Sequence, residues 1–193
     1  MKEGAMLTRP KMAAVARMAM CLAALVFSVN ALAADIPKPG DVLPVFEMPA
    51  PVGEDEAAYL GVSPGKPFSF KEIGARYLLI EVIGVYCPIC FKQAPLMDKL
   101  FKKIQADPDL SGKVRLLGLA SGATPQELAY LKKQKLYGFP VVNDPDYAVH
   151  KSLGEPKTPF TVLLDGNGKV LLTHLGLIDD LNAFFREISQ SVQ

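Results

Sequence analysis

YLLIEVIGVYCPICFKQAP, residues 77–95, changes its period halfway along. From Tyr77 to Tyr86 the run is continuously apolar and rich in β-branched residues, with Glu81 as its one acid. Such a run predicts a strand buried on both faces. Cys87-Pro88 breaks it. From Pro88 to about Gln105 the spacing becomes helical, with Gln93, Met97, Leu100, Phe101 and Ile104 on one face. Pro88 suits the first helical position, where its missing N–H would have no partner anyway. Pro95 falls inside the pattern and predicts a kink. The stretch therefore reads as a central strand, a turn carrying two cysteines, and a helix.

Working outward, Val114–Ala120 reads as a second buried strand. Thr124-Pro125-Gln126-Glu127 has the N-cap, proline and capping glutamate of a helix start, and the helix is expected to end near Gly138. Phe139–Val142 reads as a short strand, followed by a short helix from Asp144 or Pro145 to about Gly154. Phe160–Leu164 and Lys169–His174 flank Asp165-Gly166-Asn167-Gly168, a hairpin signal. Asp179–Ser189 closes as a helix with Leu181, Phe184, Phe185 and Ile188 on one side. Upstream, residues 34–67 are rich in Pro and Gly and read as an extended, turn-rich lead-in with one short edge strand around Val45. Strands alternating with helices predict an α/β domain over residues 68–193. Its central mixed β-sheet is flanked by helices and ends in a β-hairpin and a C-terminal helix.

Residues 1–33 read as a cleavable export signal. Lys2, Arg9, Lys11 and Arg17 precede an uncharged stretch beginning at Met18, and Ala31-Leu32-Ala33 forms an A-x-A cleavage site. The apolar stretch falls short of the roughly 20 residues that span a bilayer. The alternative is an uncleaved anchor. Cys21 lies inside this segment, and Met20 before it argues against a lipidation site. Removing residues 1–33 turns the net charge from +1 to −2. That balance excludes the basic excess of a nucleic-acid binder. The expected location is the periplasm, with no stable membrane insertion after cleavage and disulfides chemically permitted.

Cys87 and Cys90 are then the remaining cysteines. Haem attachment needs His after the second Cys, and Phe91 is there. A zinc site needs a second ligand pair, and His150 and His174 are isolated in sequence. No metal or cofactor is expected. Redox chemistry and a structural disulfide remain. A loop this short gains little from closure, which disfavours the structural reading. Cys87 at a helix N-terminus faces free N–H groups and the positive end of the dipole, which favour a thiolate. Cys90, one turn in, is placed as the resolving thiol. Glu81 is read in two ways. It is either a buried acid of raised pKa that exchanges a proton with Cys90, or a residue that points to an edge or pairs with a Lys such as Lys113 or Lys169.

The sequence resembles the thioredoxin-like superfamily, in particular the secreted TlpA/ResA-type thiol-disulfide oxidoreductases, with overlap with the AhpC/TSA-type redoxins. Tyr86 through Pro95 carry the resemblance, with a helix proline eight positions after the first Cys, as does Thr158-Pro159 before the Phe160–Leu164 strand. The resemblance implies a thioredoxin-like fold and catalysis by Cys87, Cys90 and Glu81. It also implies a cis bond at Pro159 and substrate contacts from Tyr86, Pro88, Ile89, Thr158 and Pro159. The implied partners are protein disulfide substrates and a membrane thiol electron donor. Four positions depart from relatives. Thioredoxins usually carry Trp where Tyr86 stands and Gly-Pro where Pro88-Ile89 stand, and many TlpA-type proteins carry an amide at Glu81.

Two other classes compete. Residues 139–145 resemble a stretch of peroxiredoxins, pointing to a thiol peroxidase. Those enzymes need a hydroxyl residue three before the Cys, where Gly84 stands. Residues 84–90 resemble SCO-type copper chaperones, and two thiolates suit Cu(I). Those proteins space the cysteines wider and add a His, for which His150 or His174 would have to serve.

Overall fold

In the computed structural model the described residues are 35–193. The export signal read in residues 1–33, Cys21 included, lies outside them. Strand β3 (Tyr77–Gly84) is the centre of a five-stranded sheet. It pairs in parallel with β4 (Val114–Ser121) and antiparallel with β6 (Phe160–Asp165). Outer strands β5 (Val141–Asp144) and β7 (Val170–Leu175) complete the order β5-β4-β3-β6-β7. A strand with neighbours on both edges and packing on both faces cannot carry solvated side chains, so the apolar run of β3 belongs there.

The two faces are covered differently. On one, Leu79 of β3 joins Met97, Leu100 and Ile104 of helix α2 (Pro88–Ala106) and Phe184 and Ile188 of helix α5 (Leu181–Ser191). On the other, Leu78, Ile80 and Val82 pack with Leu43, Phe46, Met48, Leu60 and Phe68. The Pro/Gly-rich lead-in is thus a lid on the sheet as well as a connection. Strand β1 (Glu47–Met48) pairs antiparallel with β2 (Phe68–Ser69) there.

Several elements differ from the sequence reading. The lead-in contains a helix, α1 (Glu54–Leu60), which was not anticipated. Seven residues are too few to display a helical period. The start is marked by three acids in the first turn, and the end by Gly61 at φ 73°. The edge strand falls at Glu47–Met48, just after Val45, which is exposed. β3 stops at Gly84, before Tyr86. Helix α3 (Pro125–Lys133) ends before Gly138, because Lys135 adopts a positive φ of 52°. β5 begins after Pro140, which has no N–H and contributes only its carbonyl, accepting from Gly118 N–H at 2.8 Å. Helix α4 (Ala148–Ser152) starts later than Asp144, the last residue of β5. The Asp144 carboxylate accepts from the Val149 and His150 N–H groups and so caps α4 from outside it. α5 begins after Asp180, whose side chain accepts from the Asn182 and Ala183 N–H groups. Pro95 lies within α2, which runs on as one helix of 19 residues.

The hairpin matches its sequence signal. Asp165 accepts from the Asn167 and Lys169 N–H groups, and β6 and β7 run antiparallel on either side. Leu100 is fully buried between α2 and the sheet. Leu100→Ala is expected to lower unfolding stability by about 3 kcal/mol, measured by urea titration.

Candidate active site

The site begins where β3 ends. Gly84 O accepts from Cys87 N–H at 3.1 Å, turning the chain into α2. Cys87 is the N-cap residue, with extended backbone (φ −87°, ψ 109°), and Pro88 follows within the first turn. The Cys87 sulfur takes the place of an ordinary capping oxygen and accepts from Cys90 N–H at 3.2 Å. Both cysteines are free thiols. Cys87 is partly exposed and Cys90 is buried.

A second loop approaches from the start of β6. The Thr158–Pro159 bond is cis, and the Thr158 carbonyl accepts from the Cys87 thiol at 3.5 Å. Gly84 eases this approach. A Cβ there would lie 3.2 Å from Thr158 Oγ1 and 3.4 Å from Cys87 Cβ.

The two thiols are electrostatically unequal. Burial works to raise Cys87. Hydrogen bonds from the Cys90 and Thr158 side chains and from the Cys90 and Ile89 N–H groups outweigh it and hold Cys87 below the usual thiol value. Burial pushes Cys90 up to about 12, and its hydrogen bond to Cys87 adds to the rise. The exposed sulfur is therefore the better thiolate, and the buried one keeps its proton.

Glu81 is fully buried in the middle of β3, beside Gly118 of β4 and Thr161 of β6. The edge position and the pairing with Lys113 or Lys169 are overturned, since β3 is the central strand and the partner is Gln93. Gln93 Nε2 donates to Glu81 Oε1 at 3.2 Å, and Glu81 Oε2 is buried without a partner. Burial raises the Glu81 pKa to about 8, opposed by the Gln93 bond. Tyr137 packs against Phe139 at 5.4 Å between ring centres. Its hydroxyl is pushed up by burial and then by charge on Glu81, Cys90 and Cys87.

Around Cys87 the surface is apolar. Tyr86 is 81% exposed, and Ile89 and Phe91 also reach solvent. Beside them is an open groove of about 590 Å³ lined by Val85, Tyr86, Phe91, Gln126, Glu127 and Tyr130. The Tyr86 hydroxyl donates to Glu127, whose other oxygen accepts from the Thr124 N–H and hydroxyl. Sequence reasoning singled out Tyr86 and Ile89 but missed the groove's far wall, because Glu127 and Tyr130 read only as helix residues. It also placed Gln93 on the apolar face of α2 without drawing a role from a buried amide there. The two histidines are engaged elsewhere, His150 Nε2 with Pro156 O at 2.9 Å and His174 Nε2 with Leu177 O at 3.1 Å. Among the described residues no group of three or more His, Cys, Asp and Glu comes together.

No protein-family model matches the chain. It is 26% identical over 117 residues to the thiol-disulfide oxidoreductase ResA of Halalkalibacterium halodurans, covering 58% of this chain and 61% of that protein. It is also 26% identical over 107 residues to ResA of Bacillus thuringiensis subsp. konkukian, covering 55% and 59%. The chain thus spans about three-fifths of the length of these relatives. Among solved structures it resembles the thioredoxin domain of a thiol-disulfide oxidoreductase from Bacteroides vulgatus, with a TM-score of 0.60 and 17% identity over 81% of this chain and 99% of that one. It also resembles StoA from Bacillus subtilis, with a TM-score of 0.55 and 19% identity over 76% and 98%. The fold is thioredoxin-like, a mixed central sheet flanked by helices.

Two outcomes follow from the electrostatics. With reduced protein and limiting iodoacetamide at pH 7, Cys87 is expected to be alkylated first and Cys90 spared, as read by peptide mass spectrometry. Labelling of both at equal rates would contradict the asymmetry. Glu81 has a folded pKa above its ordinary 4.5. Its contribution to stability is therefore fully present below pH 4.5 and is lost as the pH rises to about 8. Glu81→Gln is expected to remove that decline, measured as urea midpoints across this pH range.

Proposed function

We propose that this chain is an exported thiol-disulfide oxidoreductase that reduces protein disulfides through the Cys87/Cys90 dithiol. The observation that carries this reading is a partly exposed sulfur at a helix N-terminus with a buried thiol one turn behind it. The likeness to the ResA oxidoreductases supports it.

In this reading the Cys87 thiolate attacks one sulfur of a substrate disulfide. A mixed disulfide forms, and the other substrate sulfur leaves as a thiolate. Cys90 then gives its proton to the ionised fraction of Glu81 and attacks Cys87 Sγ. The second substrate sulfur leaves, and a Cys87–Cys90 disulfide remains. Two electrons have passed to the substrate, and a membrane thiol donor returns two to the protein. The Thr158 carbonyl, beside the nucleophile, is placed to meet the substrate backbone, and Pro159 holds that loop. Tyr86, Pro88 and Ile89 supply the apolar surface around the attacked bond. Residues 1–33 act as the export signal and place this chemistry in the periplasm, where protein disulfides occur.

A peroxidase is disfavoured on a specific ground. Gly84 carries no hydroxyl, and a Cβ there would be crowded by the Thr158 hydroxyl at 3.2 Å. Copper delivery is disfavoured because, among the described residues, neither histidine joins the two cysteines in a group of three or more His, Cys, Asp and Glu.

Cys87→Ser is expected to abolish reduction of a disulfide-bonded peptide. Cys90→Ser is expected to accumulate the Cys87 mixed disulfide, seen as a mass adduct lost on adding dithiothreitol. Full turnover by Cys90→Ser would refute the two-thiol mechanism. A glutathione titration of the Cys87–Cys90 couple is expected at or below about −220 mV, and a value near −120 mV would make the protein an oxidant instead.

A further inference from the structure

Gln93 is the one side-chain partner of the buried acid, and it is itself fully buried. Its amide makes two bonds at once. Gln93 Oε1 accepts from Ile178 N–H at 2.8 Å, and Gln93 Nε2 donates to Glu81 Oε1 at 3.2 Å. The first bond decides the second. A backbone N–H can only donate, so the amide oxygen must face Ile178 and the NH₂ must face Glu81. The flipped amide would set two donors against each other at Ile178.

An NH₂ group can bind a carboxylate oxygen or the carbonyl oxygen of a neutral carboxyl, but not its O–H. The titrating proton of Glu81 is thereby excluded from Oε1 and confined to Oε2, the oxygen that is buried without a partner. We propose that Gln93 is a positioning residue that fixes which oxygen of Glu81 exchanges protons, using the Ile178 backbone in the loop before α5 as its anchor. The inference rests on the redox reading of Cys87 and Cys90. It adds a donor that stabilises the Glu81 anion inside a site that otherwise disfavours charge. The other titratable groups of the site are Cys87 and Cys90 at the start of α2 and Tyr137 from the loop before β5, whose hydroxyl is pushed up by burial and by charge on Glu81 and both cysteines. Thr161 on β6 is the adjacent polar residue, and its Oγ1 is also without a partner. Gln93 is therefore the group about Glu81 that works for the anion.

The test is a pH titration of the Glu81 carboxyl by ¹³C NMR in full-length reduced protein labelled at glutamate, with Glu81→Gln assigning the signal. Wild type is expected to titrate with a midpoint near 8. Gln93→Met, similar in volume but without a donor, is expected to move the midpoint up by about one pH unit, a tenfold change in proton affinity. The pH profile of peptide disulfide reduction is expected to move with it. Gln93→Glu retains an acceptor for Ile178 and guards against misfolding of the first variant. It is expected to split the single Glu81 midpoint into two, as carboxyls sharing one site do. A Glu81 midpoint unmoved by Gln93→Met and unsplit by Gln93→Glu, with disulfide exchange intact, overturns the proposal and leaves the redox reading standing. Wild-type titration near 4.5, or a rate profile that Glu81→Gln leaves unchanged, overturns it through Glu81 itself. Absence of exchange in wild type is the separate failure of the redox reading.

Discussion

The hydrogen bond from Cys90 N–H to the Cys87 sulfur ties the chemistry to the fold. It exists because β3 ends at Gly84 and the chain turns at once into α2, leaving the first N–H groups of the helix without carbonyl partners. A serine or aspartate would ordinarily fill that position with oxygen. Here sulfur fills it, so the interaction that starts the helix also stabilises the thiolate. The dependence runs the other way too. The turn is held in place by a strand paired on both edges and packed on both faces, so the sulfur inherits the rigidity of the sheet centre.

The same burial that makes the frame rigid creates the second constraint. Glu81 sits where no charge is comfortable, and burial likewise holds Cys90 to its proton. Burial alone would leave both neutral and unreactive. The amide of Gln93 acts against this for Glu81, and the N–H groups at the helix start act against it for Cys87. The site is thus graded. The exposed sulfur is biased toward charge, while the buried sulfur and the buried carboxyl are biased toward their protons.

What was legible in the sequence follows from range. The strand–turn–helix at residues 77–95 was readable because its signals are local: a double-faced apolar run, then a proline and a change of period. The hairpin at Asp165–Gly168 and the capping box at Thr124–Glu127 were readable for the same reason. Helix α1 was not, since seven residues amid prolines and glycines show no period. The extents of α3, β5 and α4 were misplaced because Lys135, Pro140 and Asp144 act through backbone conformation and long-range bonds. At the site, the placement of Cys87 and Cys90 was visible and the partner of Glu81 was not. Twelve positions separate Glu81 from Gln93, and 85 separate Gln93 from Ile178. The packing of α2 on β3 joins the first pair, and the loop before α5 meets α2 to join the second.

Gly84 shows how one missing side chain can decide between chemistries that share a fold. A hydroxyl three residues before Cys87 would serve a peroxide, but its Cβ would also be crowded by the Thr158 hydroxyl, 3.2 Å away. With glycine there, the loop comes within 3.5 Å of the Cys87 sulfur and presents a backbone carbonyl. A carbonyl can accept only from a donor, and an extended polypeptide carries such a donor at its N–H groups. A small peroxide gains less from that geometry than a peptide does. The opening beside Cys87, with exposed Tyr86 and Ile89 at its rim, is correspondingly a surface rather than a closed pocket. The absence of a Cβ at residue 84 therefore leaves the Thr158 carbonyl and the Cys87 sulfur uncrowded, side by side at an open surface.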